Sequence, residues 1–363
     1  MSKRGKKPRE VAASLEAVAR KAGVSTATVS RVLNDFSIVK SSTRARVMRA
    51  ASELKYHPNL HASSLARGRS RTLGIIVSNM ENPFFFDIFR TLESDAHAKG
   101  YQVVVANTDY QSEQLVTSIR LMIGWRVAGL AAIVSEMDSD LLEMLNNNQI
   151  PVVFYDVGIP TKNITNIRVD YRKGMKQIVE YLYSLGHSRM GFVGHHVTLG
   201  PIDERRKSFL ETVAMFSPKP EVHVATGPDG LEGGRQAVRE LLASGLDPTA
   251  IVCVNDFMAV GVLRELREQG LRVPEDVSVT GFDNIRLAEF SSPPLTTVHI
   301  PREQIGHIMY ESLVPDPKKH RAVGGEVVID PQFVVRESTG RAPGKRASAR
   351  PSHALGHGSP APG

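Results

Sequence analysis

From Ser14 to Leu54 the apolar positions recur at three- and four-residue intervals, and no stretch alternates with the period of a strand. Leu15, Val18, Ala19 and Ala22 stand at i, i+3, i+4 and i+7. Ser14 is placed to cap this first helix, and Gly23 to end it in the left-handed region. Ser25 then caps a second helix after a short turn. Its inner face is Val29, Val32 and Leu33, which leaves Thr26, Ala27, Ser30, Arg31 and Asn34 outside. A third helix turns Val47, Met48, Ala51 and Leu54 inward and Arg44, Arg46 and Arg49 outward.

After Leu73 the rhythm changes. Short β-rich runs, at Leu73 to Val77, Gln102 to Ala106, Leu130 to Val134, Val152 to Tyr155, Met190 to Val193, Ala250 to Val254 and Val277 to Gly281, are separated by helix-length segments. Strands alternating with helices predict parallel sheets of the doubly wound type, whose ligands bind beyond the carboxyl ends of the strands. This many strands predicts two lobes, with the chain crossing between them at Ile167 to Asp170 and Leu295 to Ile300. Beyond Gly340 the composition falls to Ala, Pro, Gly, Ser, His and Arg, which cannot bury enough surface to fold.

Charge sharpens this division. Residues 1–72 hold 16 Lys and Arg against 4 Asp and Glu, residues 73–340 hold 25 against 34, and the tail holds 4 against none. A compact basic segment ahead of an acidic body suits a polyanionic partner, because each cation near a phosphate releases condensed counterions. The apolar runs are far too short for a membrane span, and the amino terminus lacks the apolar stretch of a secretory signal. A cytoplasmic location is expected. The single cysteine, Cys253, sits in a strand-like run and reads as a small core residue.

The segment Val18 to Asn34 has the layout of a helix-turn-helix, in which the second helix presents a polar face to a major groove. Thr26, Ala27 and Arg31 point to base edges, Arg31 being suited to bidentate contact with guanine. Ser25, Thr28, Asn34 and Tyr56 are placed for phosphates. No phosphate loop, dinucleotide fingerprint, zinc-protease helix or nucleophile elbow is present, so neither catalysis nor a cofactor is expected. His195 and His196 are adjacent on an extended run and point opposite ways, which argues against a metal site.

These residues resemble the lactose/galactose repressor (LacI/GalR) family from Ser14 to about Gly340. The likeness rests on Val18-Ala-x-x-Ala-Gly-Val-Ser-x-x-Thr-Val-Ser-Arg-Val-Leu-Asn34, Tyr56-x-Pro-Asn59 with Ala62-x-x-Leu65-Ala66, Asn82-Pro-Phe-Phe85, Val254-Asn-Asp256, Gly281-Phe-Asp283 and Pro294-Leu-Thr-Thr297. The resemblance implies an α/β protein with an N-terminal three-helix helix-turn-helix domain and a hinge helix, followed by a bilobal periplasmic-binding-protein-like body of two doubly wound parallel sheets. The expected divisions are a basic arm at 1–13, the DNA-binding domain at 14–58 and the hinge and linker at 59–72. An effector-binding and dimerisation body follows at 73–340, with lobe 1 at about 73–168 and 299–325 and lobe 2 at about 169–298 and 326–340, and then a disordered tail at 341–363.

The resemblance also implies roles for individual residues. Asn59 joins the DNA-binding set, and Leu65 wedges into the minor groove when two hinges fold together. A segment as short as Asn59 to Ala66 is marginal as an isolated helix, so its folding gives an effector something to control. Asp156, Arg205, Asn255 and Asp283 line the cleft from loops after strands or at helix starts, and Asn79, Phe84 and Phe85 face it from the first lobe. Carboxylates, a guanidinium and an amide suit the hydroxyls of a sugar or sugar derivative. The cleft is expected to be open and wet when empty, since a buried carboxylate without a partner is costly. The implied protein is a repressor that acts as a homodimer on an approximately palindromic double-stranded operator. Its rival is a soluble solute-binding receptor with an incidental basic head. The chain departs from the family pattern at Lys40, where a Ser usually follows Val39, so that Ser41 or Ser42 is expected to cap the third helix; at the site, the family's Gly-Gly-Pro after the sixth strand reads Gly194-His-His196, and Ser208 stands where it has Gly before Phe209.

Overall fold

The computed structural model describes residues 14–33, 38–56, 70–135, 137, 139–197, 200–315 and 324–344. The basic arm, Asn34, the hinge with Asn59 and Leu65, and the tail from 345 lie outside the described residues.

The head is three helices, α1 (Leu15–Ala22), α2 (Thr26–Leu33) and α3 (Ser41–Glu53). The Ser14 hydroxyl accepts from the Ala17 amide at 3.2 Å, and Gly23, at φ +63°, turns its amide back onto the last carbonyls of α1. The Ser25 hydroxyl accepts from the Thr28 amide at 3.2 Å and caps α2. Val18, Val29 and Val47 meet in the centre with no exposed surface. Two details of α3 differ from the sequence reading. The cap position is Lys40, whose side chain makes no capping bond; its carbonyl accepts from Thr43 and Arg44, and both serines fall inside the helix. Met48 is 52% exposed, and Ala50 is buried in its place. The buried set Val47, Ala50 and Ala51 with half-buried Leu54 keeps the i, i+3, i+4, i+7 spacing that one helical face requires.

In the body, the first lobe begins with β1 (Thr72–Val77), α4 (Pro83–Ala98), β2 (Gln102–Asn107), α5 (Ser112–Gly124), β3 (Gly129–Ile133), α6 (Ser139–Asn147), β4 (Val152–Tyr155) and β5 (Ile164–Val169). The chain then crosses and builds α7 (Tyr171–Ser184), β6 (Arg189–His195), α8 (Gly200–Val213), β7 (Glu221–Gly227), α9 (Leu231–Ala243), β8 (Ala250–Cys253), α10 (Asp256–Glu268), β9 (Ser278–Thr280) and α11 (Arg286–Phe290). It returns through β10 (Thr297–His299) to α12 (Arg302–Leu313) and β11 (Gly325–Ile329), and ends with β12 (Gln332–Val334). The larger sheet is wholly parallel in the order β11-β5-β4-β3-β1-β2, and the smaller one, also parallel, runs β7-β6-β8-β9. An antiparallel ribbon, β10-β12, lies where the chain passes between the lobes.

Each strand read from the sequence is present, with small shifts at its ends. The segments expected as crossings are different. Ile167 to Asp170 is mostly the end of β5, and the passage follows at Asp170, which caps α7 by accepting from the Lys173 amide. Residues 326–329, expected in lobe 2, pair with β5 at the edge of the larger sheet, so the last passage lies between β11 and β12. The pleat explains the layers. Leu73, Ile75 and Val77 of β1 share a core with Ile88 and Leu92 of α4 and Met309 of α12, while Ile76 points to the other face with Ile119 of α5 and Leu145 of α6. In the smaller lobe, α9 and α10 approach so closely that a Cβ on Gly261 would lie 1.9 Å from the Leu231 carbonyl oxygen.

Candidate functional site

On the head, Ser25, Thr26, Ala27 and Arg31 are exposed along one side of α2, opposite the buried Val29 and Val32. Thr28 is half-buried, its hydroxyl 3.0 Å from that of Ser25, and Tyr56 is half-buried against the head core. Three of the expected base-contacting residues, with the cap beside them, are thus exposed on one helix whose opposite face packs into the head core.

The cleft is built from loops after the parallel strands. Arg205, on α8, is 6% exposed. Its guanidinium lies 4.5 Å from the ring centres of both Tyr171 and Phe282, donates to the Val254 carbonyl at 2.8 Å and stands 3.0 Å from Asp283 Oδ1. Arg205 Nε and Asp283 Oδ1 are buried without a hydrogen-bond partner among the described residues, so that pair is close in charge but misdirected as a hydrogen bond. Burial raises the Asp283 carboxyl to about 6, against the pull of Arg205 and Arg302. Burial is the largest single influence on Arg205 and works against its charge, but Asp283 together with Tyr171 and Tyr155 outweighs it, and the guanidinium holds its proton more tightly than usual.

Asp283 sits at φ +104°, a conformation that a non-glycine residue adopts only when its surroundings impose it. The surroundings are identifiable. Its amide donates to the Val298 carbonyl at 2.8 Å, and its carbonyl accepts from Arg302. Buried Asp256 accepts from the Thr297 hydroxyl at 2.6 Å and the Ile285 amide at 2.8 Å, fixing both flanks. A Cβ on Gly281 would fall 2.1 Å from Asp256 Oδ1, so glycine is required there.

Asp156 follows β4 at φ +67° and accepts from the Tyr171 hydroxyl at 2.6 Å and the Val169 amide at 2.8 Å. Burial nevertheless raises its carboxyl to about 7. Asn255 caps α10, its Oδ1 accepting from the Met258 amide at 2.8 Å, and its Nδ2 donates to Asp229 Oδ1 at 3.0 Å. It therefore serves both as a cap and as a cleft residue.

Phe84, Phe85, Tyr155, Tyr171, Arg205, Asn255 and Asp283 bound one cavity of about 480 Å³, its opening to solvent included. Asn79 and Asp156 stand outside its wall. Asn79 donates instead to Asp229 Oδ2 at 3.0 Å. Asp229 and Tyr110, whose hydroxyl donates to the same carboxylate at 2.8 Å, were not singled out in the sequence. Pro228-Asp229-Gly230 reads as a turn, and Tyr110 as the end of a loop. Asn79 and Tyr110 belong to the first lobe and Asp229 to the second, so the lobes are in direct contact, where an open, wet cleft was expected.

The histidines also divide. His195 is buried, its ring 4.7 Å from that of Tyr110, while His196 is exposed and near the Thr226 hydroxyl. Trp125 follows the end of α5, 43% exposed. Among the described residues no group of His, Cys, Asp and Glu is arranged to hold a metal ion, and no helix is long and apolar enough to cross a membrane.

Comparison with known proteins agrees with this architecture. Residues 14–59 match the family described as bacterial regulatory proteins, lacI family, and residues 179–339 match a periplasmic binding protein-like domain. The chain is 34% identical over 337 residues to the HTH-type transcriptional repressor CytR of Escherichia coli (strain K12), covering 92% of this chain and 98% of that protein. The lac repressor dimer bound to operator and the anti-inducer ONPF superposes with a TM-score of 0.77 at 28% identity, over 91% of this chain and 100% of that one. The transcriptional regulator CelR in complex with cellobiose does so with a TM-score of 0.63 at 29% identity, over 90% and 99%. A matched reading head on a ligand-binding body sets aside the solute-receptor reading. The chain belongs to the lacI family of bacterial regulatory proteins, as a DNA-binding transcriptional repressor with a ligand-binding domain.

Proposed function

We propose that this repressor is a cytoplasmic homodimer in which each subunit reads half of an approximately palindromic operator, and in which a sugar-like effector between the lobes sets operator affinity. Thr26, Ala27 and Arg31 meet base edges, with Ser25, Thr28, Asn34, Tyr56 and Asn59 on the backbone and Leu65 in the minor groove. Arg205, Asp283 and Asn255 bind the effector's hydroxyls against Phe84, Phe85 and Tyr171, while Asp156 and Asn79 support the rim. One observation carries the effector site: Arg205 and Asp283 line a cavity, and each keeps a buried polar atom, Nε and Oδ1, without a hydrogen-bond partner among the described residues. Buried polar atoms of this kind are costly, and a ligand hydroxyl satisfies both. Effector-driven movement of the lobes changes the spacing of the two hinges, a coupling of about 1–3 kcal/mol in allosteric proteins generally.

The test is selection of bound duplexes from a random library by the full chain. Recovery of one two-fold symmetric site, lost in Arg31→Ala, is the expected result. Equal binding to every duplex by the wild-type chain overturns the reading.

A further inference from the structure

The contact between the lobes is concentrated on one carboxylate. Asp229, in the loop between β7 and α9, accepts from Asn79 Nδ2 and the Tyr110 hydroxyl on Oδ2 and from Asn255 Nδ2 on Oδ1. Tyr110 is held there against backbone preference. Its φ is +58°, a region a bulky residue occupies only under constraint. It is a firm donor as well, because burial and then Asp229 raise its pKa well above the usual phenol value.

Tyr110 is also a wall. The cavity bounded by Arg205 and Asp283 and a neighbouring space of about 400 Å³ beside the start of α5 share Ser78, Tyr110, Val134 and Ser135 as lining. The ring of Tyr110 stands at that shared boundary, and its hydroxyl is tied to Asp229.

The charges of the cleft are unequal. The cation Arg205 is matched by Asp283 at 3.0 Å. Among the described residues Asp229 forms no ion pair, and burial lowers the pKa of His195, beside Tyr110, against the pull of Asp229. An anionic group entering the cavity approaches Asp229, which lies behind the wall residues Tyr110 and Asn255, in surroundings where charge is poorly screened.

We propose that Asp229 determines the specificity of the effector site as a positioning residue. By holding Tyr110 and Asn255 across the cleft it restricts the cavity to a ligand of about one ring system. By its charge it selects uncharged or cationic ligands over phosphorylated or carboxylated ones. The inference rests on the cleft being the effector site and names the class of ligand that site takes.

The test uses the full chain and matched probes: ribose, glucose and adenosine, each against its monophosphate, with cellobiose as a two-ring probe. Thermal unfolding midpoints and titration calorimetry are recorded for the wild type, Asp229→Asn and Tyr110→Phe. In the wild type an unphosphorylated single-ring probe raises the midpoint and its phosphate does not. Asp229→Asn narrows that preference by about tenfold or more, the scale of one hydrogen bond to a charged group. Tyr110→Phe keeps the charge preference but admits cellobiose, a split that a merely structural role would not produce. Amide hydrogen exchange over residues 108–111 is expected to be faster in Asp229→Ala than in the wild type. The proposal is overturned by a phosphate that binds the wild type as well as its parent, by an unchanged preference in Asp229→Asn, by no response to any probe, or by unchanged exchange. None of these readouts involves DNA. Their failure leaves operator recognition standing, and loss of operator specificity leaves them unaffected.

Discussion

Replacing Asp283 by Asn separates what the buried pair does for the ligand from what it does for the fold. Seen from Arg205 the pair is favourable, since Asp283 strengthens the guanidinium's hold on its proton. Seen from Asp283 it is costly, since burial raises the carboxyl to about 6 in spite of Arg205. The carboxyl decides the outcome, because the guanidinium stays charged at every accessible pH. An ordinary Asp ionises near pH 4, so ionising Asp283 in the folded chain costs about 3 kcal/mol more than in the unfolded chain. The unfolded carboxyl releases its proton first as pH rises. The contribution of the protonated group is therefore complete below about pH 4, declines between about 4 and 6, and is gone above. The amide of Asn is close in shape to the protonated acid. Asp283→Asn is accordingly expected to be at least as stable as the wild type at pH 8, by up to about 3 kcal/mol, with the difference shrinking towards pH 4. Urea unfolding at both pH values measures this, and the comparison cancels the titration of every other group. Operator binding measured with a responsive ligand is expected to lose its ligand dependence in the same variant. A variant less stable than the wild type at pH 8, or a difference indifferent to pH, refutes the claim that this carboxylate is retained for binding at the expense of stability.

Other perturbations probe separate parts of the molecule. Leu65→Ala is expected to weaken operator binding by about tenfold or more, equivalent to about 1.4 kcal/mol, with calorimetric ligand binding unchanged; unaltered operator affinity removes the hinge wedge. Gly261→Ala forces a methyl group against the Leu231 carbonyl and is expected to lower urea stability by about 1–3 kcal/mol, whereas a neutral result means that α9 and α10 can separate freely. Glu265 is held down to about 2 by hydrogen bonds from Arg239, Gln269 and Arg235. Its contribution is present above about pH 4.5 and lost as pH falls towards 2, so Glu265→Gln is expected to be less stable than the wild type at pH 7 and to converge with it near pH 2.

Much of the fold was legible because parallel strands buried on both faces write themselves as short apolar runs. β1 and β3 are of this kind, and so is β8. Other strands break that rule and leave no such run. β7 and β11 are sheet edges in which most positions are only partly buried or exposed. β5 carries Asn166, whose side chain accepts from the Gly158 amide, and Arg168, which pairs with Glu326, so its run looks polar although it is nearly all buried. Met48 shows the same limit on a smaller scale: apolarity indicated the core, but its angular position, one residue from Val47, turned it to solvent.

The candidate effector residues divide for a related reason. Asn255 and Asp283 stand in local motifs at strand ends and helix starts, where doubly wound sheets concentrate their ligands, and both line the cavity. Tyr110 and Asp229 have no such signature. Asp229 meets partners 150 and 119 residues away. Periodicity reports which face of its own element a residue occupies, and turn propensity reports how the chain bends beside it; neither records what approaches from the other lobe. A carboxylate that joins the two lobes can therefore read only as a turn residue in the sequence. Its role follows from the donors that the tertiary structure brings to it, and from the absence of a cation among them.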